Sequence, residues 1–281
     1  MPKIHPSSSL PLNNGVRLPL FGFGAYKVSD PVQGEEAIRC ALEAGYRHID
    51  TASIYGNEEL VGRAIQNSGL QREDLFVTTK LWLDEQGEKE TPAALERSLA
   101  KLQTDYVDLY LMHWPHPEAQ RMQPCWEAMQ ALLAAGKCRA IGVSNFSERR
   151  LQELFARSDF RPAVNQVEFN LFCYRRELAA FCRDRGIVLQ SYSPLARGHK
   201  LDHQTLVRLS QTHRKSPAQT MLRWCLQHGV PIIPKSSTPE RIVANAQIFD
   251  FELSSPEMEQ LDQLNENFEV SDWRPDPQNW Y

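Results

Sequence analysis

The sequence has none of the glycine-rich motifs that hold phosphate groups in the common open α/β folds. Gly22 and Gly24 are spaced like the first two glycines of a Gly-x-Gly-x-x-Gly motif, but the third is missing, and no glycine–lysine Walker loop occurs. A Rossmann-type cofactor domain is therefore not expected. Any dinucleotide that binds has to lie extended across another kind of surface.

Long apolar runs are also missing. No stretch approaches the roughly 18 apolar residues that a membrane helix needs, and prolines and serines interrupt residues 1–12, where a signal peptide would be apolar. The charges nearly balance, with 31 Lys+Arg against 35 Asp+Glu, so no broad basic surface for nucleic acid or anionic lipid is indicated. We expect a cytoplasmic protein without a nucleic-acid or membrane partner.

The cysteines are few and scattered. None of the six belongs to a Cys-x-x-Cys pair or a tight cluster, which argues for reduced thiols and against structural zinc. They are Cys40, Cys125, Cys138, Cys173, Cys182 and Cys225.

Strand-like and helix-like segments alternate along nearly the whole chain. No polar linker interrupts the 281 residues, 42% of which are hydrophobic, so we predict one domain over residues 1–281. The predicted strands are residues 18–23, 48–50, 76–80, 107–113, 140–144, 163–168, 188–191 and 230–234, and the helices are residues 32–44, 58–67, 92–101, 126–135, 148–156, 177–185, 217–227 and 239–246. This repeat predicts an α/β fold of the closed (β/α)8 TIM-barrel type rather than an open sheet.

Additions to the barrel are predicted at both ends of the chain. The turn Asn13-Asn14-Gly15 indicates a small N-terminal hairpin over residues 10–17, and residues 204–214 and 256–264 are predicted extra helices toward the C-terminus. Thr91, Ser216 and Thr238 each precede a proline and are predicted helix N-caps.

Polar residues follow the second, third and fourth predicted strands. Asp50, Lys80 and His113 each end a strand, and Tyr55 lies in the loop after Asp50. Active sites of these barrels lie at the C-terminal strand ends, so we expect the four side chains to share one mouth. A Lys80–Asp50 pair would place a cation beside Tyr55 and lower the pKa of its phenol, and His113 would donate a hydrogen bond to the same substrate oxygen.

Each of these residues also has an ordinary structural interpretation. Asp50 could cap a loop, Lys80 could lie on the surface, and His113 could be a satisfied core histidine. His113 and His116 could suggest a metal, but no nearby carboxylate or cysteine completes a ligand set, and we predict no metal site.

Further candidates follow the later strands. Ser144, Asn145 and Gln166 can hold a carboxamide, and Tyr192 offers an aromatic face to a flat heteroaromatic ring. Lys235, Ser236 and Arg241 surround the start of a predicted helix, a favourable place for a phosphate. An ordinary loop with solvated basic residues remains the alternative.

Three stretches resemble the signatures of the aldo-keto reductase superfamily. The first runs from Gly45 to Ala52 (GYRHIDTA) and continues through Tyr55 and residues 58–62, the second is residues 141–146 (IGVSNF), and the third is residues 233–236 (IPKS). The chain resembles this superfamily over nearly its whole length, and in particular its compact prokaryotic branch, which includes diketogluconate and methylglyoxal reductases.

The resemblance implies reduction of aldehydes and ketones by a monomeric, NADPH-dependent oxidoreductase acting on CH–OH groups. It implies a catalytic tetrad of Asp50, Tyr55, Lys80 and His113, with Tyr55 as general acid. The residues it places at the cofactor are Gly24, Ala25, Tyr26, Asp50, Ser144, Asn145, Gln166, Tyr192, Ser193, Pro194, Leu195, Lys235, Ser236, Arg241 and Asn245. Among them Tyr192 would stack on the nicotinamide, and Asn245 would meet the adenine. Ala244 stands where relatives often carry a glutamate near the adenine.

The resemblance also implies a substrate pocket with an aromatic wall, formed by Tyr26, Tyr55, Trp82, His113 and Trp114. Residues 115–125 and 272–281 are short where animal members carry long specificity segments, so an open, permissive pocket for a small carbonyl compound is expected. Two alternatives stay open, namely a Schiff-base lysine enzyme of the aldolase type, built on Lys80, and a non-catalytic barrel that binds NADPH.

Overall fold

The computed structural model describes residues 4–271 and Pro275. Its central feature is a parallel seven-stranded sheet with the strands in chain order. These strands are β3 (Phe23–Gly24), β4 (His48–Asp50), β5 (Phe76–Leu81), β6 (Val107–Met112), β7 (Cys138–Ser144), β8 (Val164–Glu168) and β9 (Val188–Tyr192). β6 is buried along its whole length, as its apolar sequence predicts.

Residues 230–234 close the sheet into a barrel. On one side Ile232 exchanges backbone hydrogen bonds with Leu20 and Gly22, both at 2.9 Å, and on the other Ser191 N–H donates to the Pro231 carbonyl at 2.8 Å. The predicted eighth strand is thus present as a bridging segment rather than a regular strand. Gly24 is needed at this seam, because a Cβ atom there would lie 2.8 Å from the Ile233 carbonyl oxygen.

Ten α-helices lie in the described part of the chain. They are α1 (Gln33–Glu43), α2 (Glu58–Asn67), α3 (Glu90–Leu102), α4 (Ala119–Ala134), α5 (Glu148–Phe155), α6 (Arg176–Arg183), α7 (Gln204–Thr212), α8 (Pro217–Gln227), α9 (Pro239–Ala246) and α10 (Ser255–Asp262). α7 and α10 are the predicted additional helices. No helix in this part of the chain is long and apolar enough to cross a membrane.

A two-stranded hairpin covers the N-terminal end of the barrel. β1 (Ser9–Pro11) and β2 (Arg17–Pro19) pair antiparallel. Leu12 and Leu18 pack with the inward-facing Leu109 and Leu111 of β6 in a separate apolar cluster at this end. The hairpin therefore closes the N-terminal end of the barrel, and the C-terminal end remains open for a binding site.

Three local predictions were wrong. The predicted strand 18–23 is divided, since Arg17–Pro19 belongs to the hairpin and the barrel strand is Phe23–Gly24. Helix α4 begins at Ala119 rather than at the predicted residue 126, so seven of the eleven residues 115–125 are helical. Of the three predicted caps only Ser216 acts as one, in a capping box with Gln219, because α3 starts before Thr91 and Thr238 makes no side-chain capping bond.

Candidate active site

Asp50 and Lys80 form a buried ion pair at the C-terminal end of the barrel. Lys80 Nζ lies 2.5 Å from Asp50 Oδ1 and 2.8 Å from the Thr51 carbonyl oxygen. The Lys80 side chain is 0% exposed and the Asp50 side chain is 3% exposed. Burial raises the pKa of Asp50 and lowers that of Lys80, while their attraction opposes both shifts. Two buried charges are tolerated here because each satisfies the other.

Tyr55 lies beside this pair. It ends a 3-10 helix, Ser53–Tyr55, whose Ser53 hydroxyl donates to the Lys80 carbonyl at 3.0 Å. Lys80 Nζ is 5.2 Å from the centroid of the Tyr55 ring. The predicted lowering of the Tyr55 pKa was wrong for this structure: burial, reinforced by the Asp50 carboxylate, raises the pKa well above its ordinary value. The Tyr55 hydroxyl therefore holds its proton at neutral pH.

His113 completes the group directly after β6. Its ring centroid is 5.6 Å from that of Tyr55 and 5.2 Å from that of Trp82. Burial, assisted by the Lys80 charge, lowers the pKa of His113 well below its ordinary value, so the imidazole is neutral. Its Nδ1 atom has no hydrogen-bond partner among the described residues.

The structure thus brings all four predicted residues to one mouth, and their ordinary interpretations do not fit. Asp50 is bound to Lys80 instead of capping a loop, and Lys80 is fully buried. His116 accepts a hydrogen bond from the Glu118 N–H. Within residues 4–271 and Pro275, no group of three or more acidic, histidine or cysteine side chains is placed to hold a metal ion.

Polar side chains from β7, β8 and β9 form a connected network on the far side of the mouth. Asn145, with a left-handed backbone (φ 63°), donates to the His113 carbonyl at 3.0 Å and accepts from the Tyr192 hydroxyl at 2.8 Å. Ser144 donates to the Gln166 carbonyl at 2.8 Å, and Gln166 Nε2 donates to Asp50 Oδ2 at 2.7 Å. The network therefore joins the predicted carboxamide site to the ion pair.

Gln190 also belongs to this network, and the sequence analysis did not identify it. It lies on β9 with Oε1 2.9 Å from Gln166 Nε2. The available signal was its position two residues before Tyr192, which puts both side chains on the same face of the strand.

Aromatic side chains surround Tyr55 and His113. The ring of Tyr26, which is 44% exposed, lies 5.0 Å from that of Tyr55, and Trp82 contacts His113. Trp114 is buried, and its carbonyl accepts a hydrogen bond from Gln86 Nε2 at 2.8 Å. These are the residues predicted for the pocket wall.

Exposed cations mark a second part of the mouth. Lys235 and Arg241 are exposed and, among the described residues, neither makes an ion pair. Partial burial, together with the neighbouring Lys27, lowers the pKa of Lys235. Ser236 and Asn245 are buried close by in sequence, on the loop before α9 and on α9 itself. Cations without a counter-ion suit a phosphate group.

The remaining predicted cofactor residues lie in loops beside the strand ends. Ala25 is buried and its N–H donates to the Asp50 carbonyl at 2.8 Å. Ser193, Pro194 and Leu195 follow β9, and Ser193 has a left-handed backbone (φ 48°). The segment 272–281, whose shortness entered the pocket prediction, lies outside the described residues apart from Pro275.

A cavity of about 410 Å³ extends the mouth toward α5 and α6. Trp114, Asn145 and Tyr192 line the side shared with the polar network, and Arg149, Arg175 and Glu269 line the outer side. The buried Glu168 fixes one wall by accepting from the N–H groups of Val270 at 2.8 Å and Ser271 at 3.0 Å.

Comparison with known proteins places this site in a family. The family model described as "Aldo/keto reductase family" matches residues 20–266. The chain is 48% identical to a glyoxal reductase of Bacillus subtilis (strain 168) over 259 residues, which is 92% of this chain and 93% of that protein.

Solved structures agree with this comparison. An aldo/keto reductase from Brucella melitensis superposes with a TM-score of 0.89 at 43% identity, covering 92% of this chain and 100% of that one. A Bombyx mori aldo-keto reductase in complex with NADP gives 0.90 at 36% identity, covering 96% of each. The predicted (β/α)8 barrel and the predicted family are confirmed, and the chain belongs to the aldo/keto reductase family as a compact member of the prokaryotic type.

Proposed function

We propose that the protein reduces aldehydes or ketones to alcohols with NADPH, and that Tyr55 is its general acid. The observation that carries this proposal is the position of the Tyr55 ring beside the buried Asp50–Lys80 pair, with Lys80 Nζ 5.2 Å from the ring centroid and the His113 ring 5.6 Å away. A bound nicotinamide cofactor would supply the hydride to the carbonyl carbon. The chain itself has to supply the proton and orient the carbonyl oxygen.

Tyr55 donates its phenolic proton to the carbonyl oxygen as negative charge develops there. Lys80, 5.2 Å from the ring centroid, stabilises the phenolate that remains, and Asp50 keeps Lys80 protonated. His113 is neutral, so it donates one N–H to the same oxygen without competing as an acid. The raised pKa of Tyr55 keeps the proton on the phenol until a substrate oxygen can accept it.

The residues present also fit the cofactor. Tyr192 offers a ring to the nicotinamide, and the amides of Asn145 and Gln166 with the Ser144 hydroxyl offer partners to its carboxamide. Lys235 and Arg241, exposed and without an ion pair among the described residues, provide positive charge for a 2′-phosphate, with Ser236 beside them. Because NADH lacks this phosphate, we propose that the protein prefers NADPH to NADH.

Small reactive carbonyl compounds are the proposed substrates. The similarity to a glyoxal reductase favours short aldehydes and α-dicarbonyl compounds, and the aromatic wall of Tyr26, Trp82 and Trp114 suits their apolar faces. The direct test incubates the protein with NADPH and glyoxal, methylglyoxal, aromatic aldehydes or keto-sugars, and identifies the alcohol formed. Absence of NADPH oxidation across this panel contradicts the proposal and supports a non-catalytic barrel.

The Schiff-base alternative makes a different prediction. Burial lowers the pKa of Lys80, as such chemistry requires, but its Nζ is bound to both Asp50 and the Thr51 carbonyl. Borohydride in the presence of a carbonyl substrate would trap a covalent adduct on Lys80 in an aldolase-type enzyme. We expect the intact mass to remain unchanged.

Three expectations stay predictions: one domain over residues 1–281, a monomer, and a cytoplasmic location without nucleic-acid or membrane partners. Light scattering after gel filtration tests the monomer, for which we expect a mass near 32.2 kDa.

A further inference from the structure

We propose that Gln190 is a positioning residue that fixes the amide of Gln166, so that Gln166 can select the carboxamide of the nicotinamide ring. Gln190 lies on β9, and its Cα is the register partner of Gln166 on β8. The inference rests on the proposed function, because it assigns a use to Gln166 in cofactor binding.

The hydrogen bonds of Gln166 determine which way its amide faces. Its Nε2 donates to Asp50 Oδ2 at 2.7 Å and to Gln190 Oε1 at 2.9 Å. The carboxylate of Asp50 only accepts while it is ionised beside Lys80, so the NH₂ side of Gln166 has to face it. Gln190 accepts the second hydrogen, which leaves Oε1 as the polar side-chain atom of Gln166 that no described residue binds.

Gln190 serves this purpose through its oxygen alone. Its side chain is fully buried, and its own Nε2 has no hydrogen-bond partner among the described residues. A buried unpaired N–H is unfavourable, so the amide is retained against a cost in stability. Without the Gln190 acceptor, the terminal amide torsion of Gln166, which is intrinsically soft, would be held by one hydrogen bond instead of two.

The ligand group selected by Gln166 follows from this orientation. A fixed Oε1 accepts from an N–H donor, and the NH₂ of the nicotinamide carboxamide is such a donor. Tyr192 lies two residues after Gln190 on the same face of β9. This strand therefore positions both the ring proposed to stack on the nicotinamide and the Gln190 amide that orients Gln166.

The experiment compares NADP⁺ with its 3-acetylpyridine analogue, which has a methyl group in place of the carboxamide NH₂. Dissociation constants are measured by quenching of tryptophan fluorescence in the wild type and in Gln190→Met, Gln190→Leu and Gln190→Glu. Gln227→Met is the matched control, since Gln227 is a partly buried amide at the C-terminal end of α8 whose partners are Leu253 and Arg223 rather than members of this network. Circular dichroism and Tm establish that each variant is folded.

The wild type and Gln227→Met are expected to prefer NADP⁺ by about 2- to 10-fold, the range of one net hydrogen bond. The ratio falls toward 1 in Gln190→Met and Gln190→Leu, because Gln166 is no longer fixed. It returns toward the wild-type value in Gln190→Glu, which keeps an oxygen acceptor and replaces only the unpaired Nε2.

The inference is overturned if a folded Gln190→Met or Gln190→Leu variant keeps the wild-type preference for NADP⁺ over the analogue. Binding of NADP⁺ in the same measurement would still support the proposed cofactor. The inference is also overturned if Gln190→Glu loses the preference for NADP⁺ over the analogue to the same extent as Gln190→Met. A wild type that binds neither nucleotide overturns the proposed function itself.

Discussion

Asp50 and Gln166 meet across the barrel with Oδ2 and Nε2 2.7 Å apart, although they stand 116 residues apart in the chain. This bond joins the Asp50–Lys80 ion pair to the polar network that faces the proposed nicotinamide. The site therefore behaves as one connected unit, and changes at the ion pair are expected to affect both stability and activity.

The Asp50→Asn variant leaves Lys80 buried without a counter-charge. We expect a loss of about 3–5 kcal/mol in the free energy of unfolding, the usual cost of breaking a buried pair, and a fall in kcat of about 10²-fold or more, because Tyr55 loses its protonated neighbour. Urea denaturation and NADPH oxidation measure the two effects.

The double variant Asp50→Asn/Lys80→Met provides the control. With both charges removed, stability should recover substantially while activity stays low. Equal destabilisation in the single and double variants would show that the pair has no electrostatic role in the fold.

Stability should also depend on pH through buried histidines. Burial lowers the pKa of His48 to about 3, and it also holds the pKa of His113 well below its ordinary value. An unfolded histidine takes up a proton near pH 6.5, whereas these folded ones do not, so the free energy of unfolding falls as pH drops below about 6.5.

His48→Gln isolates this contribution. The wild type's stability relative to the variant should decrease by about 1–2 kcal/mol between pH 7 and pH 5, as measured by urea unfolding at each pH. A difference that stays constant over this interval would contradict the burial of a neutral His48.

Asn57 ties together the two loops that carry Tyr26 and Tyr55. Its Nδ2 donates to the Ala25 and Val28 carbonyls at 2.7 and 2.9 Å, and its Oδ1 accepts from the Thr51 hydroxyl at 2.6 Å. Asn57→Asp keeps the shape but loses both donors and sets a carboxylate against two carbonyls.

We expect Asn57→Asp to lose about 2–4 kcal/mol of stability and to raise KM for NADPH together with a fall in kcat. Asn67→Asp, on the exposed end of α2, is the control, since its Nδ2 contacts only Glu35. If a folded Asn57→Asp variant keeps the wild-type KM and kcat, the hydrogen bonds of Asn57 do not position the loops around the active site.

Cofactor preference should depend on Lys235 and Arg241. Replacing both by Met is expected to weaken NADPH binding by about 10- to 100-fold, the scale of losing hydrogen bonds to a charged group, and to leave NADH nearly unaffected. Lys101→Met/Arg157→Met removes the same charge from exposed positions away from the mouth. An equal loss for NADPH and NADH would exclude a 2′-phosphate role.

Much of the architecture could be predicted from the sequence because its signals are local. Helices α2, α8 and α9 begin and end where amphipathic spacing and start signals put them. The strand ends predicted at Asp50, Lys80 and His113 from apolar runs lie within one residue of the observed ends at Asp50, Leu81 and Met112. The first strand was misplaced because residues 18–23 are apolar throughout, and only the pairing of Arg17–Pro19 with Ser9–Pro11 divides them.

The electrostatics of Tyr55 could not be predicted from residue types. Lys80 and Asp50 lie near the ring as predicted, but residue types do not show how deeply the phenol is buried, and burial together with the Asp50 charge raises its pKa. Gln190 was missed for a related reason: its spacing from Tyr192 indicates only a shared strand face, whereas its bond to Gln166 depends on the register between β8 and β9.

The most direct test of the account is the Tyr55→Phe variant, which removes one oxygen and keeps the ring. NADPH should bind with nearly wild-type affinity, while kcat for aldehyde reduction falls by about 10²- to 10⁴-fold, the contribution of positioned proton transfer. Tyr106→Phe, at the N-terminal end of β6 where the ring packs on Arg72, should retain full turnover. Near-normal turnover by Tyr55→Phe would contradict the assignment of Tyr55 as the general acid.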